Sequence, residues 1–139
     1  MKIVLDASIG VKWFRYENES NTDLANKLLQ QQFQNEIEII VPDLFFFEII
    51  NTLLSKKYLN VDDIYSASES LHLMNMKVIF PNKKIIDTSI NITDRTKLTF
   101  YDSLYISVAI SEQALLLTED KEILKNKSNF DFIKSLDEF

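Results

Sequence analysis

The chain has 139 residues, 46% of them apolar, with a formal net charge of -6, one His, one Gly and no Cys. That length and apolar share match a single globular domain, residues 1–139, with no Ser/Gly-rich linker or internal repeat to divide it. Disulfides, thiolate nucleophiles, Cys-type zinc sites, multi-histidine sites and glycine-rich phosphate loops are excluded, and the acidic balance leaves contact with a polyanion to local basic clusters.

Residues 2–5 read as a short buried strand, and 9–15 as a helical turn or two after it. Leu24, Leu28 and Phe33 among polar residues make 21–34 an amphipathic helix. "IEIIVPD" gives a second strand, 37–41, stopped by Pro42, and Asp43 suits the N-cap of a helix over 44–57. A helix at 61–75 and a strand at 77–80, closed by Pro81, follow. Next come helices at 83–96 and 101–113, a strand at 114–118, a short helix near 119–126 and a last strand near 130–133. Strands this apolar, alternating with helices, predict a three-layer α/β/α sandwich around a mostly parallel sheet of about five strands. In such sheets the ligand crevice lies beyond the carboxyl ends of the strands. No apolar run approaches the roughly 18 residues of a membrane span, and "MKIVLDAS" meets an acid too early for a secretory signal, so a cytoplasmic location is expected.

Asp6 follows the first strand and Asp120 the fourth, so both belong at that edge. Each also has a local reading, Asp6 as an N-cap and Asp120 as a first-turn acid, worth ~0.5 to 1 kcal/mol apiece. Asp102 opens a helix whose predicted buried stripe is Tyr105, Ile106, Ala109 and Ile110, which turns its carboxylate inward. The spacing from Thr99 equally makes a capping pair. Glu48 interrupts "LFFFEIINTLL", a helix apolar almost all round, where no cap explains an acid. A carboxylate buried there must be protonated, paired or bound to a cation; Asn51 shares its face, and a buried Lys is the other structural partner. Convergence of all four is costly, since two carboxylates ~4 Å apart repel by roughly 4 kcal/mol at an effective dielectric of about 20. Such a cluster calls for raised pKa values or for cations, and oxygen donors without His or Cys select Mg2+ or Mn2+ over zinc.

"IVLDAS", "VPDLFFFEIINTL", "YDSLYISVAI" and "LLLTEDKEIL", in this order, resemble the segments of PIN-domain ribonucleases of the VapC toxin type, over nearly the whole chain. The resemblance implies a sheet in the order 3-2-1-4-5, Mg2+- or Mn2+-dependent cleavage of RNA, a homodimer, and an antitoxin that holds the enzyme inactive. It gives the four acidic places to Asp6, Glu48, Asp102 and Asp120, and supporting polar places to Ser8, Asn51 and Thr118. Asp6 and Asp102 are expected as principal metal ligands, with Glu48 and Asp120 ligating or orienting water. Ser103 stands where Ala is commoner, and Glu119 competes with its neighbour Asp120 for the fourth place.

Lys12, Arg15, Arg95, Lys97 and Lys121 flank these acids and offer phosphate contacts, although most such charges solvate helix faces. His72 reads as a half-buried helix residue. Phe45, Phe46, Phe47 and Ile50 exceed what one sheet covers, so a second subunit, an antitoxin segment or the 61–75 helix must meet the surplus. A haloacid dehalogenase-like phosphatase would need a second Asp where Ser8 stands, and a receiver domain an Asp after the third strand, where "KVIFPNKK" has none. Within the resembled family the alternatives are a solitary RNA-processing nuclease and a silent fold kept for binding protein.

Overall fold

The computed structural model describes residues 1–14 and 20–139, so the expected helical turn at 9–15 is seen up to Phe14 and Arg15 lies outside the described residues. Five strands, β1 (Lys2–Leu5), β2 (Glu38–Pro42), β3 (Lys77–Ile79), β4 (Leu115–Leu117) and β5 (Ile133–Lys134), form one parallel sheet. Their order is β3-β2-β1-β4-β5, the expected one. Ile3 pairs with Ile39 on one side and Leu115 on the other, and Ile3, Val4, Leu5, Ile39, Ile40 and Val41 have no exposure at all. That is the signature of strands covered on both faces. Partial exposure returns at the edge strand β3.

Among the described residues seven helices cover it: α1 (Ala7–Gly10), which runs into a tight turn at Val11–Trp13, α2 (Thr22–Phe33), α3 (Leu44–Leu54), α4 (Val61–Leu73), α5 (Lys83–Thr96), α6 (Phe100–Glu112) and α7 (Lys121–Leu124). Right-handed crossovers put α1 to α4 on one face as the chain steps outward to β3, and α5 and α6 on the other as it returns to β4. The packing agrees, with α5 on α6, α1 on α3 and α3 on α4. Small hydroxyl residues line the α5–α6 seam. Ser89 and Ser107 both donate to the Ile85 carbonyl, at 2.7 and 2.9 Å, and Thr93 donates to Ser103 at 2.8 Å.

Gly10, the one glycine, has a packing reason. A Cβ there would stand 2.5 Å from side-chain atoms of both Ile49 and Phe45. Its absence lets α1, which starts just after Asp6, lie against α3, which carries Glu48. Two of the four candidate acids are thus brought together by a missing methyl group.

Several local expectations are corrected. In α2 the buried positions are Ala25 and Leu28, while Leu24 and Phe33 are exposed. The inner face is completed by Gln32, whose amide accepts from Ile39 N–H at 2.8 Å and donates to the Asn75 carbonyl at 2.9 Å, so a polar residue does the work expected of Phe33. Asp43 makes no side-chain cap, because its backbone is already helical (φ -58°, ψ -28°) and its N–H continues the β2–β3 pairing to Ile79 at 3.2 Å. Helix α3 stops at Leu54, short of residue 57, as the Ser55 hydroxyl turns back to the Thr52 carbonyl at 2.6 Å. Ile110 is exposed, whereas the unbroken run from Ser103 to Ala109 is buried between sheet and α5. The last strand starts only at Ile133 because the chain turns just before it, Ile133 N–H donating to the Phe130 carbonyl at 3.2 Å. His72 is exposed and stacks on Phe46 at 5.5 Å.

Candidate active site

Asp6 stands one residue beyond β1, and its N–H still donates to the Leu117 carbonyl at 3.0 Å, so the β1–β4 ladder itself delivers the carboxylate to the carboxyl edge of the sheet. The backbone there is extended and then turns into α1, which makes Asp6 the N-cap. The capping bond from Ser8 N–H is long, at 3.4 Å. Two hydroxyls hold the group more closely: Ser8 donates to Oδ2 at 2.5 Å and Thr118 to the same oxygen at 2.9 Å. Asp6 is almost fully buried, and burial pushes its pKa up; the two hydroxyls oppose the rise and the charge of Asp120 adds to it.

Thr118 and Ser8 also lace the loop after β4 to the loop after β1. Thr118 accepts from Asp120 N–H at 3.0 Å, and Ser8 accepts from Glu119 N–H at 3.0 Å. Asp120 then caps α7, its Oδ1 accepting from Glu122 and Ile123 N–H at 2.9 and 3.1 Å. Glu119 turns the other way, accepting from Leu136 N–H at 2.8 Å. On the far side of the crevice Thr99 caps α6 by accepting from Asp102 N–H at 3.1 Å. The local reading of Asp6 as an N-cap is therefore realised, while Asp120, expected as a first-turn acid, stands one place earlier as the N-cap of α7, and capping is what fixes where these carboxylates stand.

Asp102 is half-buried, and its pKa is pushed up to about 6 by burial first, then by the charges of Asp120 and Asp6. Glu48, also half-buried, is raised by burial, then by Asp6, Asp102 and Asp120, against the lowering effect of a hydrogen bond. The donor of that bond is Tyr105, at 2.6 Å. The charges of Asp6, at the end of β1, and Asp120, after β4, thus reach both Glu48 on α3 and Asp102 on α6. As they stand, no three acidic or histidine side chains among the described residues are drawn together tightly enough to hold a metal ion.

Tyr105 was not among the residues expected at the site. Its apolar neighbours assign it to the core stripe, and the usable signal is that a buried phenol, 1% exposed, must find a partner for its hydroxyl. Asn51, expected beside Glu48, is instead exposed at an apolar cleft of about 590 Å³ lined by Phe46, Phe47, Ile50, Leu54 and Phe80. Of the expected cations, Lys12 is buried and donates to the Ser20 carbonyl at 2.7 Å, while Arg95, Lys97 and Lys121 are exposed.

A profile of the PIN domain matches residues 3–128. The chain belongs to the PIN domain family. Its fold is similar to those of a toxin–antitoxin complex from Klebsiella pneumoniae (13% identity, TM-score 0.69, covering 96% of this chain and 97% of that one). It is also similar to VapBC2 from Rickettsia felis bound to a DNA fragment from its promoter (16%, 0.70, 97% and 98%). A third similar fold is VapC20 of Mycobacterium tuberculosis, a sarcin-ricin loop cleaving toxin (12%, 0.69, 88% and 93%). No curated protein sequence matches it. Among the described residues of this PIN domain no helix is long and apolar enough to cross a membrane.

Proposed function

We propose that this PIN domain is a Mg2+- or Mn2+-dependent endoribonuclease, acting in the cytoplasm as the toxin of a type II toxin–antitoxin pair. The observation that carries the reading is the gathering of carboxylates at the carboxyl edge of a parallel sheet, where Asp6 and Asp120 follow neighbouring strands and their charges reach Glu48 and Asp102 on the helices above. The donor set fits a divalent cation in its chemistry. All four donors are carboxylates, none is a thiolate or imidazole, and the upward pushes on Asp6, Glu48 and Asp102, from burial first and then from neighbouring acids, are the penalty a 2+ ion relieves.

Asp6 and Asp102 would be the principal ligands, with Glu48 and Asp120 beside them. When bound, the ion supplies a lowered pKa for water and charge neutralisation at phosphate oxygens. The chain's own groups supply the rest. Ser8 and Thr118 fix Oδ2 of Asp6, and Asp120 is held by α7. The engagement of Glu119 with Leu136 supports Asp120 as the fourth acid. The exposed Arg95, Lys97 and Lys121 are the available phosphate contacts for a chain that is acidic overall. Cleavage of a labelled RNA should stop in EDTA and return with Mg2+ or Mn2+, because carboxylates alone do not activate water at neutral pH. Full cleavage in chelator would sink the reading.

Partners follow from the apolar cleft. Phe47 and Phe80 are each 68% exposed and Leu54 59%, a patch of the kind a second subunit covers, and the similar toxin–antitoxin complexes support an antitoxin as a further partner. The purified protein is expected to sediment as a dimer at micromolar concentration, and Phe47→Asp to shift it toward monomer; a wild-type monomer there would rule the interface out.

A further inference from the structure

α3 and α6 lie on opposite faces of the sheet, and the bond from Tyr105 Oη to Glu48 Oε1, 2.6 Å long, ties one helical layer to the other over the carboxyl edge. The donor end is fixed: Tyr105 is 1% exposed, one turn after Asp102 on a helix buried from Ser103 to Ala109. The acceptor end is not otherwise fixed, since Glu48 sits in mid-helix, where no backbone N–H is free to hold a carboxylate, and Asn51 turns out to the apolar cleft. Glutamate has three rotatable side-chain bonds, and without a donor its carboxylate would spread over several rotamers. Asp6, by contrast, has two hydroxyls, and Asp120 two backbone amides.

We propose that Tyr105 is the positioning residue of the site, its core-anchored hydroxyl aiming the Glu48 carboxylate at the crevice shared with Asp6, Asp102 and Asp120. The inference rests on the metal-nuclease reading, and it assigns to α6 a second duty: the helix that presents Asp102 at its first turn also sets the acid on the opposite layer. Tyrosine is required for this rather than phenylalanine, although both would fill the same core volume.

The test is Tyr105→Phe, which keeps the ring and removes only the hydroxyl, compared with Glu48→Gln and the double variant. Mn2+ affinity is read without RNA, by titration of melting temperature and of the free-ion EPR signal. Loss of a partner that orients a metal ligand costs about tenfold or more in affinity. Tyr105→Phe should therefore weaken Mn2+ binding about tenfold, lower kcat and leave KM for RNA near the wild-type value. In the Glu48→Gln background the same substitution should change Mn2+ affinity little, because its target is already altered. Wild-type Mn2+ affinity in Tyr105→Phe, or an equal loss with and without Glu48, would overturn the assignment and leave Tyr105 a core residue. A wild-type protein that itself shows no Mn2+ response would overturn the nuclease reading and this inference with it, so the two failures are told apart by the wild-type titration.

Discussion

Asp102→Asn is expected to lower Mg2+-dependent RNA cleavage by about a hundredfold or more while leaving the metal-free protein as stable as the wild type, or more so. The two halves have one cause. Asp102 is raised from the ordinary 3.8 to about 6 by burial and by Asp120 and Asp6, so at neutral pH its charge works against the fold. Taken whole, that rise is about 3 kcal/mol, and solvent screening of a half-exposed carboxylate reduces it to about 1 to 2 kcal/mol. Against this stands the attraction of a first-turn acid for its helix dipole, about 0.3 to 1 kcal/mol, which Asn forfeits. The balance favours the variant. Its backbone N–H still donates to Thr99, so α6 keeps its cap. Thermal melts with and without Mg2+, beside cleavage of a labelled RNA, measure both halves. A variant that melts several degrees lower and still cuts would return Asp102 to the status of a helix-start acid.

The parallel sheet and the helix positions were legible because apolar strands alternate with periodic helices, and the strands of an all-parallel sheet carry little else, whereas the strand order came only from the resemblance to PIN-domain ribonucleases. Asp6 and Asp120 were legible for a topological reason: residues that follow central strands must emerge at one edge. What failed to show in the sequence was carried by side chains acting against type. Gln32 sits on the inner face of α2 and Phe33 outside it, because two backbone partners, Ile39 and Asn75, outweigh the hydrophobic pattern. Asp43 fails to cap because strand pairing holds its N–H. Asn51 was matched to Glu48 by spacing along one helix, but the partner came from 57 positions away, across the sheet. Contacts made over the edge between layers leave no periodicity to read, and a tyrosine in an apolar stripe is their faintest trace.

The metal-free protein should be most stable on the acid side of neutrality and lose stability as pH rises toward 7. Asp102 has a folded pKa of about 6, above its unfolded value, so between about pH 4 and pH 6 the native state holds a proton that the unfolded chain has released. The stabilisation this gives is whole below the unfolded pKa and is lost as pH rises through about 6, by the same 1 to 2 kcal/mol or so. Asp6 and Glu48, both raised, act in the same direction. Glu138 acts in the opposite direction, its pKa held down to about 2 by Lys127 and Ser135, but its contribution is whole above its ordinary 4.5 and falls away only below it, so it is constant from pH 5 to 7.5. For a chain of this length about 1 to 2 kcal/mol corresponds to roughly 3 to 10 °C in melting temperature. Mg2+ reverses the trend, because it competes with the same protons: its stabilising increment should be smallest at pH 5 and grow through pH 6 to 7.5. Melts at those three pH values, with and without Mg2+, give the two slopes, and Asp102→Asn should flatten both. A metal-free protein that grows steadily more stable from pH 5 to 7.5, with a Mg2+ increment indifferent to pH, would mean that these carboxylates do not share a site, since shared repulsion and shared cation are the two faces of one cluster.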